Sequence, residues 1–369
     1  MNNINVLIFI VVFPALVSCN GQTQSKAAHS APHRGSTEIG TIVNQLGDHL
    51  WYIFQDSKNN YWFGSDGEGL FRYDGAHILQ LTTEDGLSNN SVRQIQEDQA
   101  GNLYFSTLGG IDQFDGKKIT PLHPVISNDW KLEPNDLWFH LLGKPGEHGP
   151  YRYDGDTLYN LQFPKHYLHD AIMATEINSR FNPYEVYTIY KDRQGGIWFG
   201  TSVFGACRFD GQSVKWMYEK DLTIHPISGG SFGIRSIFED KEGLFWLCNT
   251  EQRFQFDFAK TSESDRLQYQ KTEGIGKPSD FAVLDFIFFS YIIEDNEGDL
   301  WLTTWEKGVF RYDGSKLTNY RVQDGGKEVN LISMYQDNQG GLWVGTPDNG
   351  VFKFNGNSFE RFMPTILTE

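Results

Sequence analysis

Cysteine is scarce in this chain, with three in 369 residues: Cys19, Cys207 and Cys248. Cys207 and Cys248 each fall inside an expected strand, so buried, unpaired thiols are expected there. A bridge between neighbouring units is the alternative, which geometry decides. Basic residues are also in deficit, 31 Lys and Arg against 47 Asp and Glu, for a net charge of −16 and a pI near 5.0. Such a chain lacks the basic face that meets phosphate, which argues against a nucleic-acid binder. Long apolar runs are missing as well. Val6 to Val17 is apolar apart from Pro14, and is too short to span a bilayer as a finished helix. No HxxxH, HExxH or nucleophile-elbow motif supports a lyase-like enzyme built on the loop histidines. The Asp-rich turns lack the carboxylate count and distal Glu of an EF-hand loop, so no calcium site is expected of them.

Aromatic residues, at 15%, and 38 glycines are what the chain has instead. That pairing suits many short strands joined by turns and argues against disorder. Length alone would allow two or three domains, but internal repetition overrides that prior. The stretch Asp295 to Gly314, DNEGDLWLTTWEKGVFRYDG, gives the unit: a polar turn, a strand, a loop, a second strand and an Asp-Gly turn. Related units open at Leu50, Val92, Val186, Ile234, near Phe289 and at Leu331. Asp56, Asp98, Asp192, Asp240, Asp295 and Asp337 each stand six residues before an aromatic: Trp62, Tyr104, Trp198, Trp246, Trp301 and Trp343. A degenerate third unit keeps Leu137-Trp138-Phe139 and Tyr151-Arg152-Tyr153-Asp154-Gly155. It departs at its opening turn, Glu133 to Asp136, and in its loop from Gly143 to Pro150.

Seven units of four strands predict an all-β fold, a single seven-bladed β-propeller of four-stranded antiparallel blades. A coil of stacked repeats would need capping units, and none is seen. The expected blades open near residues 48, 91, 126, 185, 233, 288 and 330 within a domain spanning 38–369. The repeated Trp and Phe are expected to fill the interfaces between blades, in preference to forming a carbohydrate platform. Glu38 to Gln45 could add a strand to the last blade, although Asn357 to Phe362 already supplies its outer strand.

DRQGGIWFGT, DNQGGLWVGT and LFRYDG closely resemble the two-component regulator propeller repeat, from about Asp48 to Phe362. Some relatives form the periplasmic sensor half of hybrid histidine kinases and sense glycan fragments. After the seventh unit only Met363 to Glu369 remain, so signalling through a fused kinase is not expected of this polypeptide.

Residues 1–18 read as a signal peptide. Leu16-Val17-Ser18-Cys19 resembles a bacterial lipobox, which implies lipidation at Cys19. Met1 to Asn5 departs from the usual signal in carrying no Lys or Arg. Residues 19–37 are small and polar, a flexible tether in which His29 and His33 read as incidental. No acidic cluster follows Cys19. The expectation is an outer-membrane lipoprotein facing the periplasm, anchored to the membrane by lipid rather than spanning it.

Function should lie where the repeat varies, on loops held by a rigid scaffold. Strand order puts the second-to-third loops and the connections between blades on one face. Residues one step into each inner strand should ring the channel mouth there: Trp51, Arg93, Tyr187, Arg235, Ser290 and Ile332. Arginine presents a planar fork to carboxylate, sulfate or phosphate, and aromatic faces stack on sugar rings. Trp51, Arg93, Tyr187 and Arg235 are therefore the candidate site for a small polar or acidic ligand such as a glycan fragment, with Trp305, Glu306 and Lys307 on the same face. The plainer alternative is that the arginines pair with nearby acids while the aromatics pack. No catalytic residue, metal or cofactor is assigned, and a monomeric binding module is expected. A scaffold for another envelope protein is one alternative. A metal-dependent enzyme resembling streptogramin lyase is another, drawing on His148, His166, His169, His225 and Glu147, with His166 and His169 nearest to a metal pair.

Overall fold

The computed structural model describes residues 39–142, 149–174, 182–223, 233–259, 265–275 and 289–366. Cys19, His29, His33, Glu147, His148 and His225 lie outside them.

The local unit forms for a specific reason. In the turn Asp295 to Asp299, one carboxylate oxygen of Asp295 accepts the backbone N–H groups of Glu297 and Asp299 at 2.9 and 3.0 Å. The other accepts the indole N–H of Trp301 at 2.7 Å. The same bond joins Asp56 to Trp62, Asp192 to Trp198, Asp240 to Trp246 and Asp337 to Trp343 at 2.8–2.9 Å, and Asp98 to the Tyr104 hydroxyl at 2.9 Å. The six-residue spacing is therefore a hydrogen bond, which gives a buried indole its polar partner. Burial pushes the Asp337 carboxyl up, but donors from Trp343, Tyr61 and Gly341 outweigh it and hold the group below its ordinary range. Gly298, at φ 87°, occupies the left-handed region that lets this turn close.

Threonine in the W-x-G-T core locks the next loop. Thr201 Oγ donates to the Gly205 carbonyl at 2.9 Å, and Thr346 Oγ to that of Gly350 at 2.7 Å. After the third strand comes an Asx turn: Asp313 accepts from the backbone of Ser315 and Lys316 at 2.9 and 2.7 Å. Those donors hold its carboxyl down at about 2.

Seven such units make seven sheets, with order inner to outer as in Val186–Lys191, Ile197–Thr201, Ala206–Phe209 and Val214–Met217. Seven apolar clusters join each sheet to the next. Trp62 packs with Phe105, Trp138 with Phe199, Trp198 with Phe245, and Trp301 with Val344 and Phe352. Trp343 meets Phe63 and Phe71, so the last sheet closes on the first. The chain is a single seven-bladed β-propeller, with the repeated aromatics in its blade interfaces.

Two blades depart from the expected strand order. Thr41–Val43 pairs antiparallel with Ile78–Leu81, becoming a fifth, outermost strand of the first blade rather than an addition to the last. Blade 7 takes all four strands from the C-terminal unit, and the ring closes through side chains, with the Tyr61 hydroxyl donating to Asp337 at 2.9 Å. Blade 3 has no inner strand among the described residues. Its aromatic strand Leu137–Phe139 is innermost, and Val125–Ser127 instead runs parallel to Leu158–Leu161 on the outside. The connection from blade 2 into blade 3 thus carries that outer strand.

Candidate functional site: the channel mouth

The inner strands begin with an irregularity. Register skips between Leu50 and Tyr52, Val92 and Gln94, and Val186 and Thr188. The extra residues of these three bulges are Trp51, Arg93 and Tyr187. A bulge re-aims the side chain it carries. In blade 5 the equivalent residue, Arg235, sits just before the strand Ile237–Glu239. There the Cys248 thiol accepts the backbone N–H groups of Arg235 and Ser236 at 2.9 and 3.2 Å. Cys248 itself lies at φ 59°, and burial pushes its thiol up to about 11. It holds the backbone at Arg235 and Ser236 in place, a role that no sequence signal announced. Both Cys207 and Cys248 are free and buried.

Four of the ring residues meet in two pairs. The Arg93 guanidinium lies 3.8 Å from the Trp51 ring centroid, joining blades 1 and 2. That of Arg235 lies 4.5 Å from the Tyr187 ring, joining blades 4 and 5. Each is a cation–π stack, worth about 0.5–2 kcal/mol according to its desolvation. The stacks differ in exposure. Arg93, whose side chain is only 12% exposed, bonds Asp66 through Nη2 at 2.7 Å. Ser91 donates to the same carboxylate oxygen at 2.8 Å. Burial draws the Arg93 guanidinium below its ordinary range, and Asp66 offsets part of that. Arg235 is solvent-exposed, and burial raises the Tyr187 phenol beneath it. Hydrogen-bonding capacity remains: Trp51 Nε1, Arg93 Nη1 and the Ser290 hydroxyl are buried and make no hydrogen bond among the described residues.

Below the mouth, the residues after the bulges are uncharged: Tyr52, Gln94, Thr188, Ser236, Tyr291 and Ser333. The hydroxyls of Tyr52 and Tyr291, from blades 1 and 6, hydrogen-bond to each other, and burial pushes both phenols up. Because those blades are not neighbours, the pair bridges the channel.

On the same face, the loop at Trp305 is fixed by its backbone. The Trp305 carbonyl accepts from Leu331 N–H at 3.0 Å, and Lys307 N–H donates to Thr304 Oγ at 3.0 Å. The Trp305 side chain is 46% exposed, and Glu306 and Lys307 are exposed too.

His166 and His169 lie together, both stacked on Phe204 and both bonded to the Tyr184 hydroxyl, His166 through its backbone N–H. His166 is buried against Tyr167, Phe204, Trp216 and Tyr218, and its Nδ1 accepts the Leu168 N–H at 3.0 Å. Burial, then Arg266, pushes it down to about 4. His169 Nδ1 bonds the Tyr184 hydroxyl at 3.0 Å beside a pocket of about 240 Å³ lined by Gln162, Phe163 and Lys165. Among the described residues no group of three or more His, Cys, Asp or Glu could hold a metal ion. No helix among them is long and apolar enough to cross a membrane.

Comparison with known proteins places this geometry. The family of the two component regulator propeller matches residues 86–109, 180–203 and 325–348, each running through an inner and an aromatic strand. No curated protein matches. Among solved structures, the extracellular domain of the hybrid two component system BT4673 from B. thetaiotaomicron is similar at 20% identity, with a TM-score of 0.55, over 89% of this chain and 40% of that one. The BT3049 extracellular domain from the same organism is similar at 16% identity and a TM-score of 0.55, over 85% and 40%. The virginiamycin B lyase from Staphylococcus aureus aligns at 13% identity and a TM-score of 0.58, over 85% and 97%. The chain thus spans about two-fifths of the length of the sensor domains it matches, and identities this low carry the fold alone. Three segments of the chain thus match the two component regulator propeller repeat, and the blade geometry agrees with that resemblance.

Proposed function

We propose that this chain is a noncatalytic recognition propeller of the cell envelope, binding a small polar or acidic ligand such as a glycan fragment at the channel mouth. The observation that carries this reading is the pair of aromatic–arginine stacks, Trp51–Arg93 and Tyr187–Arg235, set at the starts of the inner strands with Trp51, Arg93 and Tyr187 on bulges. A stacked guanidinium keeps its edge donors available to a carboxylate or sulfate, while the aromatic beside it offers a face to a sugar ring. The exposed Arg235 guanidinium would meet the anionic group of the ligand, with further contacts at Trp51 Nε1 and Arg93 Nη1. Lipid attachment at Cys19 would hold the propeller at the outer membrane, and the fold shared with extracellular sensor domains supports an envelope setting.

A scaffold reading draws on a different observation. Leu108 and Trp305, on hairpin loops of that same face, are 38% and 46% exposed. A glycan-array and thermal-shift screen of the chain, repeated on Arg93→Ala and Arg235→Ala, separates the two. The ligand reading expects an acidic glycan that raises the melting temperature of the wild type and not of Arg235→Ala. No response to any glycan, with the loop face retaining an envelope protein, would support the scaffold instead. Incorporation of labelled fatty acid, lost in Cys19→Ser, checks the anchor.

A further inference from the structure

The position one residue past the interface aromatic and its neighbour is held by small side chains: Gly64, Ser106, Gly200, Cys248, Thr303 and Gly345. The reason is space. A Cβ on Gly200 would come within 2.7 Å of Thr188 Cγ2 on its own inner strand, and closer still to the Ile234 carbonyl. One on Gly345 would meet Ser333 Oγ at 2.5 Å and the Leu50 carbonyl at 2.8 Å. Blade 3 alone places a large residue here, His140, and among the described residues blade 3 alone lacks the inner strand. In blade 3, therefore, no inner strand of its own blade packs beside this position among the described residues.

The exposed edge of Leu137–Phe139 is capped from the neighbouring blade. Gln96 Nε2 donates to the Trp138 carbonyl at 2.6 Å, with Gln94 Nε2 at 3.4 Å. His140 Nδ1 is buried and makes no hydrogen bond among the described residues. Burial pushes the His140 imidazole down to about 4, so it is uncharged at neutral pH. The surroundings that refuse a proton there would equally penalise a carboxylate or sulfate. They accept a hydroxyl, which can satisfy an orphaned ring nitrogen.

We propose that the vacated strand position of blade 3 is a buried subsite, centred on His140 with Gln94 beside it, that takes the uncharged, hydroxyl-bearing end of the ligand while its acidic group stays at the mouth. This rests on the mouth being the ligand site, and it fixes the direction in which the ligand enters.

The test uses the disaccharide glucuronosyl-glucose and its derivative with the glucose hydroxyls methylated, titrated calorimetrically onto the chain. The expectation is that wild type prefers the free hydroxyls, that His140→Phe loses that preference through about a fivefold to tenfold weaker affinity for the free form, and that His140→Asn restores part of it. Arg235→Ala should weaken both probes alike. If His140→Phe keeps the wild-type preference while Arg235→Ala loses binding, the subsite is overturned and the mouth stands. If wild type binds neither probe, both are overturned. Should His140→Phe fail to fold, the comparison of His140→Asn with wild type decides on the same criterion.

Discussion

In blade 4 the aromatic strand Ile197–Thr201 lies between an inner strand and a third strand. In blade 3, which packs against it through Trp138, Phe199 and Trp216, the equivalent strand Leu137–Phe139 is itself innermost. Blade 4 anchors its turn with Asp192, which takes the backbone of Gln194 and Gly196, the Trp198 indole and the Arg208 guanidinium. Blade 3 has Asp136 two residues before its tryptophan, holding the Glu133 N–H and Arg152 at 2.8 and 2.6 Å. What survives in blade 3 is the buried ion pair and the interface aromatic. What is absent, among the described residues, is the inner strand, and two glutamines of blade 2 cap the edge this leaves open. The comparison teaches that the repeat is held by its outer three strands, and that the inner strand is the part open to change.

The largest effect should come from the turn carboxylates. Asp192→Ala strands a buried guanidinium, an indole and two backbone donors, and should cost about 5 kcal/mol by urea denaturation. Asp136→Ala strands fewer groups and should cost about 3 kcal/mol. Equal losses would break the contrast between the blades.

Next comes pH. His140 and His166 are both held down at about 4, against an ordinary value of 6.5. As pH falls through 6.5 the unfolded chain takes up protons that the folded chain refuses, so stability drops until about pH 4, where the folded histidines also protonate. Each contributes at most about 3 kcal/mol over that window. His140→Asn should remove one share and His166→Phe the other, measured as the slope of unfolding free energy between pH 6.5 and 4. An unchanged slope in His140→Asn would mean that the blade 3 gap is wet.

Smaller still is the exchange of the residues that the missing strand sets apart. Gly200→His, forced against Thr188, should destabilise blade 4 by about 1–3 kcal/mol. His140→Ser should cost less than about 1 kcal/mol. Comparable melting temperatures for the two variants would contradict the account of the vacated strand.

Much of this architecture could be read from the residues. The constant distance from Asp to Trp registers the units because it is one hydrogen bond, and the Gly-rich turns mark their ends. The positions of Trp51, Arg93, Tyr187 and Arg235 were legible as one step into each inner strand. Their pairing was not, because it depends on which side chain a bulge aims at the next blade. The loss of the blade 3 strand was hidden for a related reason. Val125–Ser127 reads as a strand or a loop equally well, and only the neighbouring glutamines reveal which edge lies open. The N-terminal strand Thr41–Val43 finds its partner in Ile78–Leu81 through space, and no local signal distinguishes the first blade from the last.

The central claim is that the two stacks, on opposite sides of the blade 3 gap, serve one site. Titrating the acidic glycan that emerges from the screen onto Trp51→Ala and Tyr187→Ala tests it most directly. One shared site predicts affinity at least about tenfold weaker in each variant, in line with the stacking lost, with melting temperatures close to wild type. Wild-type affinity in either variant would contradict it.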